Sequence, residues 1–187
     1  MTLLLQGCLS PVKTPTISNY ILNEVNTNTV QAKRTSKILL VSPPQAAPGY
    51  DSRDMVYIKK LYQLEKFAKN RWADEPTKML QPLIIQSLQN TRHFHAVVSA
   101  PFSGLYDLRL DSKLLQLQQE FLSTQSLVRL KIYMQLVDAT TLKVINSRNF
   151  VIVVPATEAN PYAGVLATNC AVKKFLQQLD VFVVENT

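Results

Sequence analysis

A chain of 187 residues with 47% hydrophobic and 18% charged residues has the composition of a folded protein, and it is long enough to bury a substantial core. Twenty lysines and arginines against 13 acids give a net charge of +7, but the basic residues are dispersed and form no aromatic-laced stripe, so nucleic acid is not an expected partner. The four glycines are too scattered for a phosphate cradle and no apolar run reaches about 18 residues, which excludes P-loop and dinucleotide-fingerprint chemistry and leaves any membrane attachment to a group outside the fold.

The chain opens with three leucines and Gln6-Gly7-Cys8. Leu5-Gln6-Gly7-Cys8 resembles the bacterial lipobox, whose cysteine is acylated and becomes the new N-terminus. Read alone, the four residues fit either an acylation site or an incidental cysteine. Ser10, Pro11, Thr14 and Pro15 follow, the composition of an extended tether. Residues 1–7 then read as the remnant of a signal peptide, whose usual basic start lies upstream of Met1. Residues 8–18 read as a lipidated flexible tether and 19–187 as one folded domain.

Within that domain, Tyr20–Leu22, Ile38–Val41 and Met55–Ile58 are short apolar runs expected to be strands. Tyr62–Trp72 is ambiguous: Leu64, Phe67 and Ala68 suit a helix, although an extended segment also fits. A helix follows, with Asp74 as expected cap, Pro76 in its first turn, and Met79, Leu80, Leu83, Ile84 and Leu88 as one apolar stripe. Pro82 interrupts it and is expected to loosen it locally. His93–Val98 reads as a strand. Leu108 and Leu110 alternate with Arg109 and Asp111, but the apolar parity changes by Leu115 and Leu117, so a bulge is expected near Ser112–Leu114.

Leu127–Val137 alternates cleanly, with Val128, Leu130, Ile132, Met134 and Leu136 on one face; Val144–Val154 returns after a turn at Asp138–Thr141. These segments predict an antiparallel meander with one wet face. Asn160 and Pro161 open a second helix carrying Val165, Leu166, Val172, Phe175, Leu176 and Leu179. The expected fold is α/β (α+β): a two-layer sandwich in which a mixed, largely antiparallel sheet of about six strands carries two main helices on one face.

Little in the chain suggests catalysis. Hydrolase, zincin and Cys-x-x-Cys signatures are absent. His93 and His95 share a strand-like spacing that could bind metal, but without further histidines they read as ordinary surface residues; no metal and no cofactor is expected. Cys170 lies mid-helix beside Ala171 and reads as a small buried residue, not a nucleophile. The two cysteines are expected to be unpaired. Tyr50, Tyr57, Tyr62, Phe67 and Trp72 cluster in one segment. They suit core packing, but Tyr50, Tyr57, Tyr62 and Trp72 are also candidates for contact with a partner or a lipid, since aromatics anchor interfaces.

That segment carries a resemblance. Pro48-Gly49-Tyr50-Asp51-Ser52, Met55-Val56-Tyr57, Leu64–Ala68, Asn70–Pro76 and Met79–Leu83, with Phe94–Val98, Ser147–Phe150 and Ala167–Ala171, resemble the ABC-type transport auxiliary lipoproteins. The likeness runs from Tyr20 over nearly the whole chain. It implies a non-enzymatic lipoprotein facing the periplasm, working beside ABC transporter subunits and an Mce-type lipid-binding protein that move lipid between membranes. It also implies acylation (including palmitate) of Cys8, and it raises the expectation of a homo-oligomer, since some relatives form rings. Leu9, not aspartate, follows Cys8, which points to the outer membrane. The alternative is a periplasmic lipid-binding module that carries hydrophobic cargo itself.

Overall fold

A computed structural model describes residues 16–24, 30 and 33–187; Cys8 and the expected signal remnant lie outside the described residues. Among the described residues, nine strands and two helices follow one another. The strands are β1 Ser18–Tyr20, β2 Ile38–Val41, β3 Gln45–Ala46, β4 Asp54–Lys60, β5 Gln63–Trp72, β6 Ala96–Ser99, β7 Leu108–Glu120, β8 Leu127–Asp138 and β9 Val144–Pro155. The helices are α1, Pro76–Asn90, between β5 and β6, and α2, Pro161–Glu185, after β9. The α+β sandwich is as expected; β1 overlaps the expected Tyr20–Leu22 strand at Tyr20, and β3 and β5 add to the strand count.

The strands form one mixed sheet organised on β7. Along one edge β7 pairs with β8 over its full length, antiparallel, and β8 pairs in turn with β9. Its other edge receives three partners in succession, all parallel: β2 from Leu39↔Leu108, β3 from Gln45↔Lys113 and β4 from Val56↔Gln118. Outside β2 lies β6, and outside β4 lie β5 and β1. The long ladders are thus antiparallel and the short ones parallel. The change of side-chain parity on β7 falls between Leu114 and Gln116, just past the position expected from sequence. β7 starts at the lower end of the sheet and finishes at its upper end.

Alternation on β8 buries Val128, Leu130, Ile132, Met134 and Leu136, the face that receives the long helix. Phe175 of α2 sits edge-on to Phe150 of β9, ring centroids 5.4 Å apart, and Phe182 meets the same ring at 5.7 Å. Leu80, Leu83, Ile84 and Leu88 of α1 join the same core. The two helices are tied by a buried hydrogen bond, 2.8 Å, from the Ser87 hydroxyl to the Asp180 carboxylate.

Local signals set the helix ends. Asn160 caps α2, its Oδ1 accepting from Ala163 N at 2.8 Å, ahead of Pro161. At α1 the cap is Glu75, not the expected Asp74, and Glu75 makes no side-chain cap bond. The Asp74 carboxylate accepts from the amide of Glu75, one residue short of the helix. Pro82 lies inside α1, which runs through to Asn90.

Candidate functional site

The aromatic segment is carried by the β4–β5 hairpin, and the structure divides its four candidate residues among different surroundings. Trp72, at the lower end of β5, is only 3% exposed and packs in the core. Tyr50, in the turn ahead of β4, donates to Gln118 Oε1 on β7. Tyr57, on β4, donates to Glu65 Oε2 across the hairpin at 2.7 Å and packs on Phe67 and Phe121, with ring centroids 4.4 and 5.8 Å away. Tyr62 forms the hairpin tip and is fully exposed. The four do not form one patch; Tyr62 alone stands free at the surface, between exposed Leu61 and Leu64.

Sequence ambiguity over Tyr62–Trp72 is resolved as a strand, β5, whose wet flank carries Lys66, Lys69 and Arg71. Both faces of the hairpin beyond β7 are solvated, so no period-2 apolar pattern is imposed on it. Asp54 anchors its base: Lys66 Nζ lies 2.6 Å from Oδ2 and Arg71 Nε 3.8 Å from Oδ1. The Lys66 hydrogen bond holds the Asp54 carboxyl below its ordinary range, against a smaller opposing effect of burial.

On the other side of the Tyr50 contact, a polar chain runs across the sheet. Gln118 Nε2 donates to Glu120 Oε1 at 2.9 Å, and Arg129 grips the same carboxylate through Nε at 2.7 Å and Nη2 at 3.0 Å. Arg129 draws the Glu120 carboxyl below its ordinary value, although burial works the other way. Tyr50 is pushed up, first by burial and then by the Glu120 charge. These residues hold the loop after β3 against the sheet.

A shallow polar depression of about 350 Å³ lies on the sheet between the Ser42–Gln45 loop and Asp111, Lys113, Tyr133 and Gln135. The Ser42 hydroxyl donates to Asp111 Oδ1 at 2.6 Å, and Arg109 Nε reaches both oxygens of the same carboxylate. Tyr133 donates to Gln135 Oε1 at 3.0 Å, whereas the buried Ser112 hydroxyl has no hydrogen-bond partner among the described residues. Where sheet and α2 meet, beside Met55, Trp72, Leu117 and Val128, the free space is about 10 Å³, room for about one water and none for an acyl chain.

Three sequence readings of reactive residues are corrected or refined. His93 is buried and lies in the loop before β6, not on a strand; its Nε2 is 2.8 Å from Thr187 Oγ1 at the end of α2. His95 is exposed and on the same loop. No group of three metal-ligating side chains occurs among the described residues. Cys170 is exposed, not buried: it falls on the solvent stripe of α2 with Leu166 and Lys173, while Ala171 and Val172 face inward. It is a free thiol. No helix among the described residues is long and apolar enough to cross a membrane.

Comparison with known proteins adds the family. A comparison with curated proteins finds no match. Among solved structures, a Xanthomonas campestris protein of family DUF330 superposes with a TM-score of 0.83 at 18% identity, covering 90% of this chain and 96% of that one. A hypothetical protein from Chlamydia trachomatis superposes with a TM-score of 0.54 at 7% identity, over 81% of this chain and all of that one. At such identities these likenesses establish the fold. The family model for the ABC-type transport auxiliary lipoprotein component matches residues 20–180, from β1 to the last turns of α2. The chain belongs to the ABC-type transport auxiliary lipoprotein family, envelope proteins held at a membrane that assist transport.

Proposed function

We propose that this chain is a non-enzymatic accessory of an ABC/Mce-type envelope lipid transport system, anchored by acylated Cys8 and docking or tethering the transporter at the outer membrane. The observation that carries the reading is the family match over residues 20–180 preceded, in sequence, by Leu5-Gln6-Gly7-Cys8 and a Ser/Pro/Thr tether. Leu9 after the cysteine favours the outer membrane over retention at the inner one. One acyl chain holds a protein only marginally, whereas the several chains of a mature lipoprotein hold it firmly.

Packing speaks for docking over cargo carriage. A carrier needs a cavity of several hundred Å³ with an apolar lining. The junction of sheet and α2 is filled, and the larger depression on the sheet is open and lined by Asp111, Lys113 and Gln135. Mass spectrometry of the native protein tests the anchor, with acyl chains expected on Cys8. Crosslinking in membranes tests the partners. An unmodified Cys8 thiol, or crosslinked complexes devoid of transporter and Mce-type subunits, would overturn the reading.

A further inference from the structure

We propose that the tip of the β4–β5 hairpin is a lipid-contact element, in which Leu61 and Tyr62 enter the headgroup region of an anionic bilayer and Lys59 and Lys60 meet its phosphates. That this is the bilayer holding the chain's own anchor rests on the proposed acylation of Cys8; the contact itself does not.

The first support is projection. The last residue of β4 paired with β7 is Ile58, opposite Glu120. Beyond it the hairpin continues through Lys59, Lys60, Leu61 and Tyr62 with only its own return strand as partner. Leu61 and Tyr62, the turn between paired Lys60 and Gln63, stand about 10 Å past the end of the shared sheet.

Chemistry at the tip points the same way. Leu61, Tyr62 and Leu64 are exposed, and Tyr62 is fully so. Tight turns favour Gly, Asn or Asp where φ is positive, yet Tyr62 holds φ at 67°. A large amphipathic ring is kept at a position where a small polar residue would serve the turn better. An apolar body with a polar tip suits a membrane interface. The charges near it are complementary to anionic lipid: Lys59 and Lys60 are exposed, while the one acid of the turn region, Glu65, is engaged by the Tyr57 hydroxyl.

Exposed Leu61 and Tyr62 beside Lys59 and Lys60 select an anionic bilayer as occupant, and the direction of β1 bears on which bilayer it is. β1 lies parallel to β5, with Ser18 opposite Asn70 and Tyr20 opposite Trp72. The chain therefore runs through β1 heading away from the hairpin tip, with Ser18 on the tip's side of Tyr20. From Asn70 back to Tyr62 is about 25 Å of strand. Residues 8–17 have a contour of up to about 35 Å, enough for the tip to rest on the surface that holds Cys8. The lower end provides a built-in contrast. Leu142, at the β8–β9 turn, is also exposed at positive φ, at the end of the sheet opposite Tyr62.

Partition of the 187-residue chain, made unacylated as Cys8→Ser, between buffer and sedimented vesicles tests the proposal without relying on lipidation. With vesicles of phosphatidylethanolamine and phosphatidylglycerol, Leu61→Ser/Tyr62→Asn is expected to lower the partition coefficient at least tenfold; asparagine suits the positive φ, so the turn is kept. Lys59→Gln and Lys60→Gln are each expected to lower it about fivefold, with further loss on adding salt. Pure phosphatidylcholine vesicles should bind more weakly. Leu142→Asn should change nothing. Equal binding by wild type and the Leu61/Tyr62 variant overturns the proposal, as does an equal loss in Leu142→Asn. So does a tip variant that abolishes self-association or subunit crosslinking while leaving vesicle binding intact, since the tip would then serve a protein partner. An acyl-free Cys8 in the native protein would overturn the anchor and leave the vesicle result standing.

Discussion

Gly164 on α2 faces the carboxamide of Gln119 on β7 so closely that a methyl group on its Cα would lie 2.3 Å from Oε1 and 2.8 Å from Cδ. Gln119 cannot simply swing aside. It is buried, and its Nε2 donates to Ser126 Oγ at 3.1 Å and to the Asn160 carbonyl at 3.2 Å, at the start of α2. The helix seats on the sheet at this point because one residue has no side chain and the other is held by both neighbouring loops.

The sign of a Gly164→Ala substitution should therefore depend on Gln119. In the wild-type background, overpacking is expected to cost about 1–3 kcal/mol, more than the helix gains from alanine. In a Gln119→Ala background the same change should stabilise by up to about 1 kcal/mol. Urea midpoints of the four proteins of the cycle decide it; additivity would sink the account.

Acid should loosen the grip of Arg129 on Glu120. The Glu120 carboxyl sits below its ordinary value of 4.5 in the fold, so just under that pH the unfolded chain binds the extra proton. The contribution of the pair is full above pH 4.5 and is lost as pH falls through the folded value. Arg129→Met is expected to cost about 1.5–3 kcal/mol at neutral pH. Plotted against pH, the wild-type advantage over the variant should shrink below 4.5; an advantage that is flat from pH 3 to 7 would refute the assignment.

The two helix starts predict opposite outcomes. Asn160→Ala removes the bond to Ala163 N and should cost about 1 kcal/mol. Glu75→Ser introduces a good cap where none exists and should gain about 0.5–1 kcal/mol. Chemical denaturation with unchanged m-values is the check.

Cys170 should be titrated by an aromatic disulfide reagent in the folded protein. In the Cys8→Ser variant, one thiol is expected to react within the mixing time without denaturant. A thiol that reacts only on unfolding would return Cys170 to the core.

Sequence pattern was most legible where one face of an element is wet and the other dry. Val128 to Leu136 shows the alternation outright, and Asn160-Pro161 followed by inward-facing Val172, Phe175 and Leu179 marks α2. It failed where both faces share one environment. On β5 only Leu64 of the helix-like trio lies on the projecting part, while Phe67 packs against the core and Ala68 is exposed, so the spacing of the three mimics a helix although the segment is extended. β3 is two residues long and is defined by a parallel partner far along the chain, and β1 lies at Ser18–Tyr20 instead of the expected Tyr20–Leu22, placed by its pairing with β5. His93 looked like a surface residue because its neighbour, Thr187, is 94 residues away. The acids Asp74 and Glu75 are interchangeable as signals ahead of Pro76. Cys170 differs from buried Ala171 by a single step around the helix. For the candidate site, the aromatic cluster was visible as composition, but only the hairpin separates Trp72 in the core from Tyr62 at the tip.

The pairing of β7 with three parallel strands on one edge has a consequence for the order in which the molecule is made. β7, β8 and β9 are consecutive and can pair as they leave the ribosome or the translocation channel, a local and fast arrangement. β2, β3 and β4 are older by several tens of residues, and although β4 can pair at once with β5 and β2 with β6, none of the three gains its edge of β7 until that strand is made. β1 in turn waits on β5. The N-terminal half of the sheet is thus synthesised early and completed late, and until Glu120 has appeared the β7-facing edges of β2 and β4 stand open to helpers that guard unfinished sheets.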